Sequence, residues 1–401
     1  MPVHLKTIAR EGLSPSDAYA RLRGHVPARS SFLLENVPGP EGRAISIVGY
    51  RARNEFSLPA GSPGALIVAR DAKAAEADGV PATDAATPTE RLAALLTYAQ
   101  VGFVSWEAAY PSLKIDAHPG EARAGRFMSD MLVCVLDQDR VVIGGRTQGA
   151  CERLEHELSR PKVLPPEPVE LADVVTVEQL SLPTEEELSK LSRKLEQRLE
   201  LLGGERAHVH LLARTAQRGA DALVAYRALG DEGMGFYVEQ AESPMAEKLV
   251  LFGRSPARVG GGADGATLLG PDACDAAATA LFDARFAGSP DALAARLARV
   301  LRDVEPFARY AYGGLVGFAL PGGGGLFVRA APVAMVVSEA FELGLGADLA
   351  PGRPDGDAAG LVSRALAGSD RLLRAVQAAI AHAPPAPIEP TPSAPTPAAP
   401  T

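Results

Sequence analysis

His208 and His210 stand two apart in an alternating stretch, so a strand would turn both rings to one face at a spacing that suits a metal ion. No Cys, Asp or Glu pattern beside them completes a ligand set, and an ordinary strand with polar residues on one face is the favoured reading. The three cysteines, Cys134, Cys151 and Cys274, are odd in number and far apart, which supports neither a disulfide framework nor a CxxC metal knuckle. Glycine runs at 260–262, at Gly313, Gly314 and Gly317, and at 322–325 lack the closing Lys and Ser or Thr of a P-loop and the spacing of a dinucleotide fingerprint. The 322–325 run lies between two strand candidates and reads as a hairpin turn. No G-x-S-x-G elbow is present, and Ser255-Pro256 reads as a turn. Trp106 and Glu107 follow a strand candidate, where a single Trp is more often core than ligand platform.

The elements that must position these residues alternate between strand-like and helix-like pieces. Strand candidates fall at 31–36, 44–50, 65–69, 101–106, 131–137 and 140–144, then at 208–215, 235–239, 249–252, 314–320, 325–329 and 333–339. Met131-Leu132-Val133-Cys134-Val135-Leu136 is apolar throughout, which suits a strand buried on both faces. A helix is expected where Leu188, Leu191, Leu195, Leu199 and Leu202 recur at spacings of three and four behind a Thr184/Glu187 capping box. A second starts at Ser289-Pro290, carries Leu293, Leu297, Val300, Leu301 and Val304 on one face and ends by Pro306. A last helical region spans 358–380. The stretch 71–88 reads as a surface loop. The pattern predicts a mixed α+β architecture, not a regular βαβ series.

With 47% hydrophobic and 22% charged residues, the chain has ample means to bury a core, which excludes whole-chain disorder. A net charge of −9 argues against general affinity for nucleic acid or anionic membranes. No signal-like start and no membrane-length apolar run occur, so a soluble cytoplasmic protein is expected. The expected organisation is an N-terminal region over 1–160, a linker over 161–183 built around Pro161-Lys162-Val163-Leu164-Pro165-Pro166-Glu167-Pro168, a second region over 184–383, and a disordered Pro/Ala/Thr tail over 384–401.

The order of the short motifs resembles the large subunit (component I) of anthranilate synthase and its relative aminodeoxychorismate synthase, in the chorismate-utilising family. Ser31-Phe32-Leu33-Leu34-Glu35-Asn36 is similar to S-F-L-L-E-S, and Ser46-Ile47-Val48-Gly49 to the Y-S-F-I-G that follows it. Val101-Gly102-Phe103 with Trp106-Glu107 resembles V-G-Y-x-x-Y-D, and Asp130-Met131-Leu132 opens a D-x-L-V-x-D-like strand. Ala225-Tyr226-Arg227-Ala228-Leu229 resembles L-Y-R-A-L, and Gly253-Arg254-Ser255-Pro256-Ala257 resembles G-A-S-P-E. Gly288-Ser289-Pro290-Asp291 is similar to G-A-P-K, Tyr312-Gly313-Gly314-Leu315-Val316-Gly317-Phe318 to Y-G-G-x-V-G-Y, and Phe327-Val328-Arg329 to I-A-I-R-T. The resemblance covers nearly the whole chain and implies face-to-face β-sheets with helices outside.

It also implies what is missing. The family's chemistry needs a Mg²⁺ clamp of carboxylates and acid–base groups at the chorismate ring, supplied chiefly by a long block of which only 270–287 remains here, with no Glu, His or Lys in it. Ala257 stands for the usual Glu, Asp291 for the usual Lys, and the late glutamate is absent from 347–357. No catalytic residue and no metal or other cofactor is therefore expected. Tyr312 and Arg329 match carboxylate-contacting positions, and Gly344 and Gly346 match a G-x-G backbone cradle; they are kept either for residual substrate binding or for folding. At the tryptophan feedback site Glu35 is kept, Asn36 replaces Ser, and Gly233-Met234-Gly235 replaces P-x-P-Y-M. The reading is a catalytically degenerate member that binds a glutamine amidotransferase subunit or a small chorismate-like aromatic carboxylate. The alternative is an active enzyme of chorismate metabolism using Asp283, Asp291 or Asp355.

Overall fold

The computed structural model describes residues 3–23, 30–59, 86–109, 115–116, 123–160, 180–203, 207–218, 220–240, 249–255, 293–305, 308–320, 325–330, 333–337, 340–349 and 358–381. The strand candidate at 65–69, most of the 71–88 stretch, the 161–168 segment, the 260–262 glycines, the 270–287 stretch, Cys274, Asp283, Ser289 to Asp291, Pro306, Gly322 to Gly324, Asp355 and the 384–401 segment lie outside the described residues.

Sixteen strands are described: β1 His4–Ala9, β2 Ser31–Pro38, β3 Ala44–Tyr50, β4 Asn54–Pro59, β5 Gln100–Val104, β6 Arg123–Ser129, β7 Leu132–Leu136, β8 Arg140–Gly145, β9 Leu180–Ser181, β10 Ala207–Arg218, β11 Met234–Gln240, β12 Leu249–Ser255, β13 Leu315–Ala319, β14 Gly325–Arg329, β15 Val333–Val337 and β16 Ala340–Leu349. The helices are α1 Pro15–Arg23, α2 Pro88–Leu96, α3 Gln148–Ser159, α4 Glu185–Leu201, α5 Ala222–Ala228, α6 Leu293–Val304, α7 Ala358–Gly368 and α8 Asp370–Ala381. The large sheet runs β1-β8-β7-β3-β2-β11-β12-β15-β16-β10-β9, and the smaller one β14-β13-β5-β6-β4. Both take strands from either side of the 161–183 segment: β2 pairs with β11 and β5 with β13, each antiparallel.

Alternation along the strands builds a three-layer body. In β7, Val133 and Val135 join Phe32, Leu34 and Ile47 in a core shared with Val101, Phe103, Val316 and Phe318 of the small sheet. Cys134 and Leu136 point to the other face, where helices cover the sheet with Tyr19, Leu22, Leu154, Leu195, Leu199 and Leu372. Burial on both faces explains the unbroken apolar run at this strand. Each such Leu or Val removed from water contributes about 1.5–3 kcal/mol. The α+β architecture with face-to-face sheets and outer helices is thus the observed one.

In α4, the expected capping box is present: the Thr184 hydroxyl accepts from Glu187 N at 3.3 Å and the Glu187 carboxylate accepts from Thr184 N at 2.8 Å. Leu188, Leu191, Leu195 and Leu199 face inward. Three expectations change. The loop expected to run to Pro88 ends earlier, because Thr87 and Glu90 form a second capping box that starts α2 at Pro88. The strand expected over 101–106 stops at Val104, and Trp106–Ala109 forms a 3-10 turn. The helical region at 358–380 is two helices, broken at Gly368-Ser369, where glycine lowers helix propensity and the Ser369 carbonyl accepts from Leu373 N to open α8.

Candidate functional site

The turn entering β13 carries Tyr312 across the core, from the small sheet to the large one. Its ring lies against Gly344 of β16 so closely that a Cβ at that glycine would stand 2.7 Å from the ring and 3.0 Å from the tyrosine Cβ. Only glycine fits there, because a strand otherwise prefers a side chain to pack. The ring also stacks on His210, with centroids 4.5 Å apart and planes at 18°. His210 sits opposite Gly346 in the β10–β16 ladder. Tyr312, Gly344 and Gly346 are therefore brought to one place. Arg329 ends β14 opposite Leu315, and the next residue, Ala330, accepts from Gly313 N at 2.8 Å and donates to Gly314 O at 3.0 Å. That ties the backbone beside Arg329 to the Tyr312 turn.

A buried ionic group supports this arrangement from behind. Among the described residues, β9 pairs with β10 only at Arg214 and Thr215, which leaves the outer edge of β10 at His210 beyond that pairing. Glu305 covers it, accepting from His210 N at 3.0 Å. The same carboxylate receives the Arg309 guanidinium as a fork, Nε at 2.9 Å and Nη2 at 2.7 Å. Arg309 also lies over the Trp106 ring, 4.9 Å from its centroid. Glu107 accepts from the backbone N–H groups of Arg309 at 2.6 Å and Tyr310 at 3.3 Å, and Trp106 N donates to Tyr310 O. Glu305, Arg309, Glu107 and Trp106 are all buried. The Trp106-Glu107 pair thus anchors the 309–312 turn.

Sequence reasoning did not find Glu305 or Arg309, and it favoured an ordinary strand at His210. The available signal was two opposite charges four apart, directly after an apolar helix face, in a stretch otherwise committed to the core. Among the described residues, no group of three or more His, Cys, Asp or Glu could hold a metal ion. Glu305 and Glu107, the two carboxylates described around the Tyr312 turn, do not fit the Mg²⁺ that the resemblance implies for active members. Glu305 is committed to Arg309 and an amide, and Glu107 to two amides. No step is derived through a metal here.

Glu35 and Asn36 meet in a second place. The Glu35 carboxylate accepts from Tyr226 Oη at 2.7 Å and pairs with Arg254 Nη2, and all three side chains are buried. Burial, followed by the Glu35 charge, pushes the Tyr226 phenol well above its ordinary range. Asn36, at φ +55°, donates to the carbonyls of Asp231 at 2.8 Å and Gly233 at 3.1 Å. Arg254 stands where the G-A-S-P-E motif has alanine, so the carboxylate kept at Glu35 is occupied by an arginine of the chain itself.

The menaquinone-specific isochorismate synthase MenF of Escherichia coli superposes with a TM-score of 0.55 and 12% identity, over 92% of this chain and 94% of that one. The chain has the fold of the chorismate-utilising enzymes. Anthranilate synthase component I of Streptococcus pneumoniae TIGR4 gives a TM-score of 0.53 at 13% identity, over 90% and 99%. A putative 2,3-dihydroxybenzoate-specific isochorismate synthase, DhbC, from Bacillus anthracis gives 0.51 at 11%, also over 90% and 99%. No protein-family model and no curated protein sequence matches the chain. None of the helices searched among the described residues is long and apolar enough to cross a membrane.

Proposed function

We propose that this chain is a catalytically degenerate protein of the chorismate-utilising fold that acts by binding a small aromatic carboxylate at the Tyr312 site. The observation that carries the reading is the state of Glu305 and Glu107, the two buried carboxylates at the Tyr312 turn. Glu305 is held by the Arg309 fork and the His210 amide, and Glu107 Oε1 accepts from two backbone amides, which supports a packing role over a metal clamp or proton transfer. The 270–287 stretch adds support, since it contains no Glu, His or Lys. The match spans nearly all of each structural neighbour, so chain length does not bear on activity, whereas the residues that fill the fold do. Tyr312 lies together with Gly344 and Gly346, the positions that the resemblance assigns to carboxylate contact, and this supports the ligand class.

The test pairs turnover with binding. Purified protein is incubated with chorismate and Mg²⁺, with and without ammonia, and isochorismate and anthranilate are followed by chromatography. A parallel calorimetric titration measures chorismate binding with and without Mg²⁺. Binding that is independent of Mg²⁺, with no product, is expected. Tyr312→Phe removes one hydrogen bond to a charged group and should weaken binding about 10- to 100-fold. Mg²⁺-dependent turnover would overturn the reading in favour of an active enzyme using Asp283, Asp291 or Asp355. Absence of any binding would leave the protein-partner role, for which a glutamine amidotransferase subunit is the candidate; co-purification with a genomically neighbouring amidotransferase tests it.

A further inference from the structure

We propose that the chain carries an anion site for a phosphate group, separate from Tyr312, where three loops converge beside the start of α3. The cleft there has a volume of about 110 Å³ and is lined by Arg51, Arg53, Arg146 and Arg153 with Asp130 and Thr147 among its other walls. Four arginines share the lining with one carboxylate, and that carboxylate is already paired: Arg146 Nε lies 2.6 Å from Asp130 Oδ1. Guanidinium groups stay protonated at any working pH, so the cleft holds an uncompensated positive field. In a chain of net charge −9 such a concentration runs against the overall balance.

The geometry is built rather than incidental. Arg51 and Asp130 both take left-handed backbone angles, φ +56° and +58°, which non-glycine residues rarely adopt. Their turns are joined by Arg53 N, which donates to Ser129 O at 3.2 Å and to Asp130 O at 3.0 Å. Arg146 is held over the Tyr98 ring at 4.7 Å and Arg51 over Tyr50 at 5.3 Å. Arg51 Nε is shielded from solvent and has no hydrogen-bond partner among the described residues. A buried guanidinium N–H without an acceptor is costly until one arrives. Arg53 and Arg153 stand exposed at the rim, and neither has a carboxylate partner among the described residues.

Phosphate chemistry fits this arrangement better than a carboxylate. A planar carboxylate is satisfied by one arginine fork, whereas guanidinium groups approaching from three loops match oxygens arranged tetrahedrally around phosphorus. The amino end of α3 adds a favourable dipole to a site already defined by the arginines.

Calorimetric titration of the full chain at constant ionic strength and pH 7.5 tests the proposal, with inorganic phosphate, phenyl phosphate and succinate as probes. Saturable phosphate binding is expected. Reversing the rim charges in an Arg53→Glu/Arg153→Glu variant should weaken it at least tenfold. The matched reversal on the exposed face of α4, Arg193→Glu/Arg198→Glu, should leave it within twofold, with circular dichroism melts showing both variants folded. Tighter binding of phenyl phosphate assigns the occupant to phosphorylated metabolites, and tighter binding of free phosphate assigns it to the ion; both sustain the site. No phosphate binding at 10 mM, equal weakening in the two variants, or succinate binding as tightly as phosphate would each overturn it.

Discussion

Replacing Gly344 with alanine tests whether the close approach of Tyr312 dictates this part of the fold. The strand conformation at Gly344 accepts any residue, so the exchange alone should stabilise the chain by about 0.5–1 kcal/mol through the entropy that glycine loses on folding. The new methyl would meet Tyr312 Cδ2 at 2.7 Å, Cβ at 3.0 Å and Cγ at 3.1 Å. Those atoms lie at the root of the side chain and cannot swing away without moving the 309–313 turn, which Glu107 and Trp106 hold. Overpacking of this kind costs about 1–3 kcal/mol, so Gly344→Ala should come out destabilising by about 0.5–2 kcal/mol. Tyr312→Ala should cost about 3–5 kcal/mol, as for other large aromatic truncations. In the double variant the clash is gone, and the alanine should restore its intrinsic gain. A double-mutant cycle from urea denaturation should therefore give a coupling of about 1–3 kcal/mol. Additivity within about 0.5 kcal/mol would refute the argument that the tyrosine ring demands a glycine here.

Three further outcomes follow from described contacts. Glu305→Gln keeps the shape but leaves Arg309 buried beside a neutral partner, and should lower stability by about 3–5 kcal/mol in chemical denaturation, with Arg254→Ala doing the same through Glu35. Tyr19, Tyr226 and Tyr237 are held protonated, first of all by burial, so the unfolded state releases these protons earlier and stability falls as pH rises past about 10, by about 1.4 kcal/mol per pH unit for each. Ultraviolet titration should accordingly show these three of the eight tyrosines silent until the chain unfolds; an early titration of all eight would contradict it. Partial burial works against ionisation of Glu90, but the Thr87 and Ala86 amides and the Thr7 hydroxyl outweigh it and hold the carboxyl below its ordinary range. Its contribution is complete above the unfolded value near 4.5 and is lost as pH falls through the lower folded one, so melting curves of wild type and Glu90→Gln should converge in acid.

What the sequence revealed followed local rules. The Thr184/Glu187 box and the spaced leucines of α4 signal a helix without any tertiary help, and the apolar run of β7 announces double burial. The equivalent box at Thr87/Glu90 was hidden by the Pro- and Ala-rich stretch before it, and Gly344 and Gly346 gave no sign that they lie inside a ten-residue strand. Tertiary pairing decides such positions. Arg254 was a departure from a motif on paper, and only the β2–β11–β12 pairing shows that it reaches Glu35. Glu305 and Arg309 bind to each other locally, but their role in covering the β10 edge depends on a residue 95 positions away.

The β2–β11 junction has a consequence for how the chain reaches its native state. In the large sheet, the five strands β1, β8, β7, β3 and β2 come from the first 145 residues, and the other six from residue 180 onward. The two groups meet along one line of register, Ser31 with Glu239 through Glu35 with Gly235. Each partner waits for another about 200 residues later in synthesis, so this pairing closes late and carries a large loop-closure entropy. Until then two half-sheets expose their inner edges, and the first half leaves the ribosome with one of them bare. Aggregation during expression should begin at this line, and separately produced halves should rescue each other when refolded together.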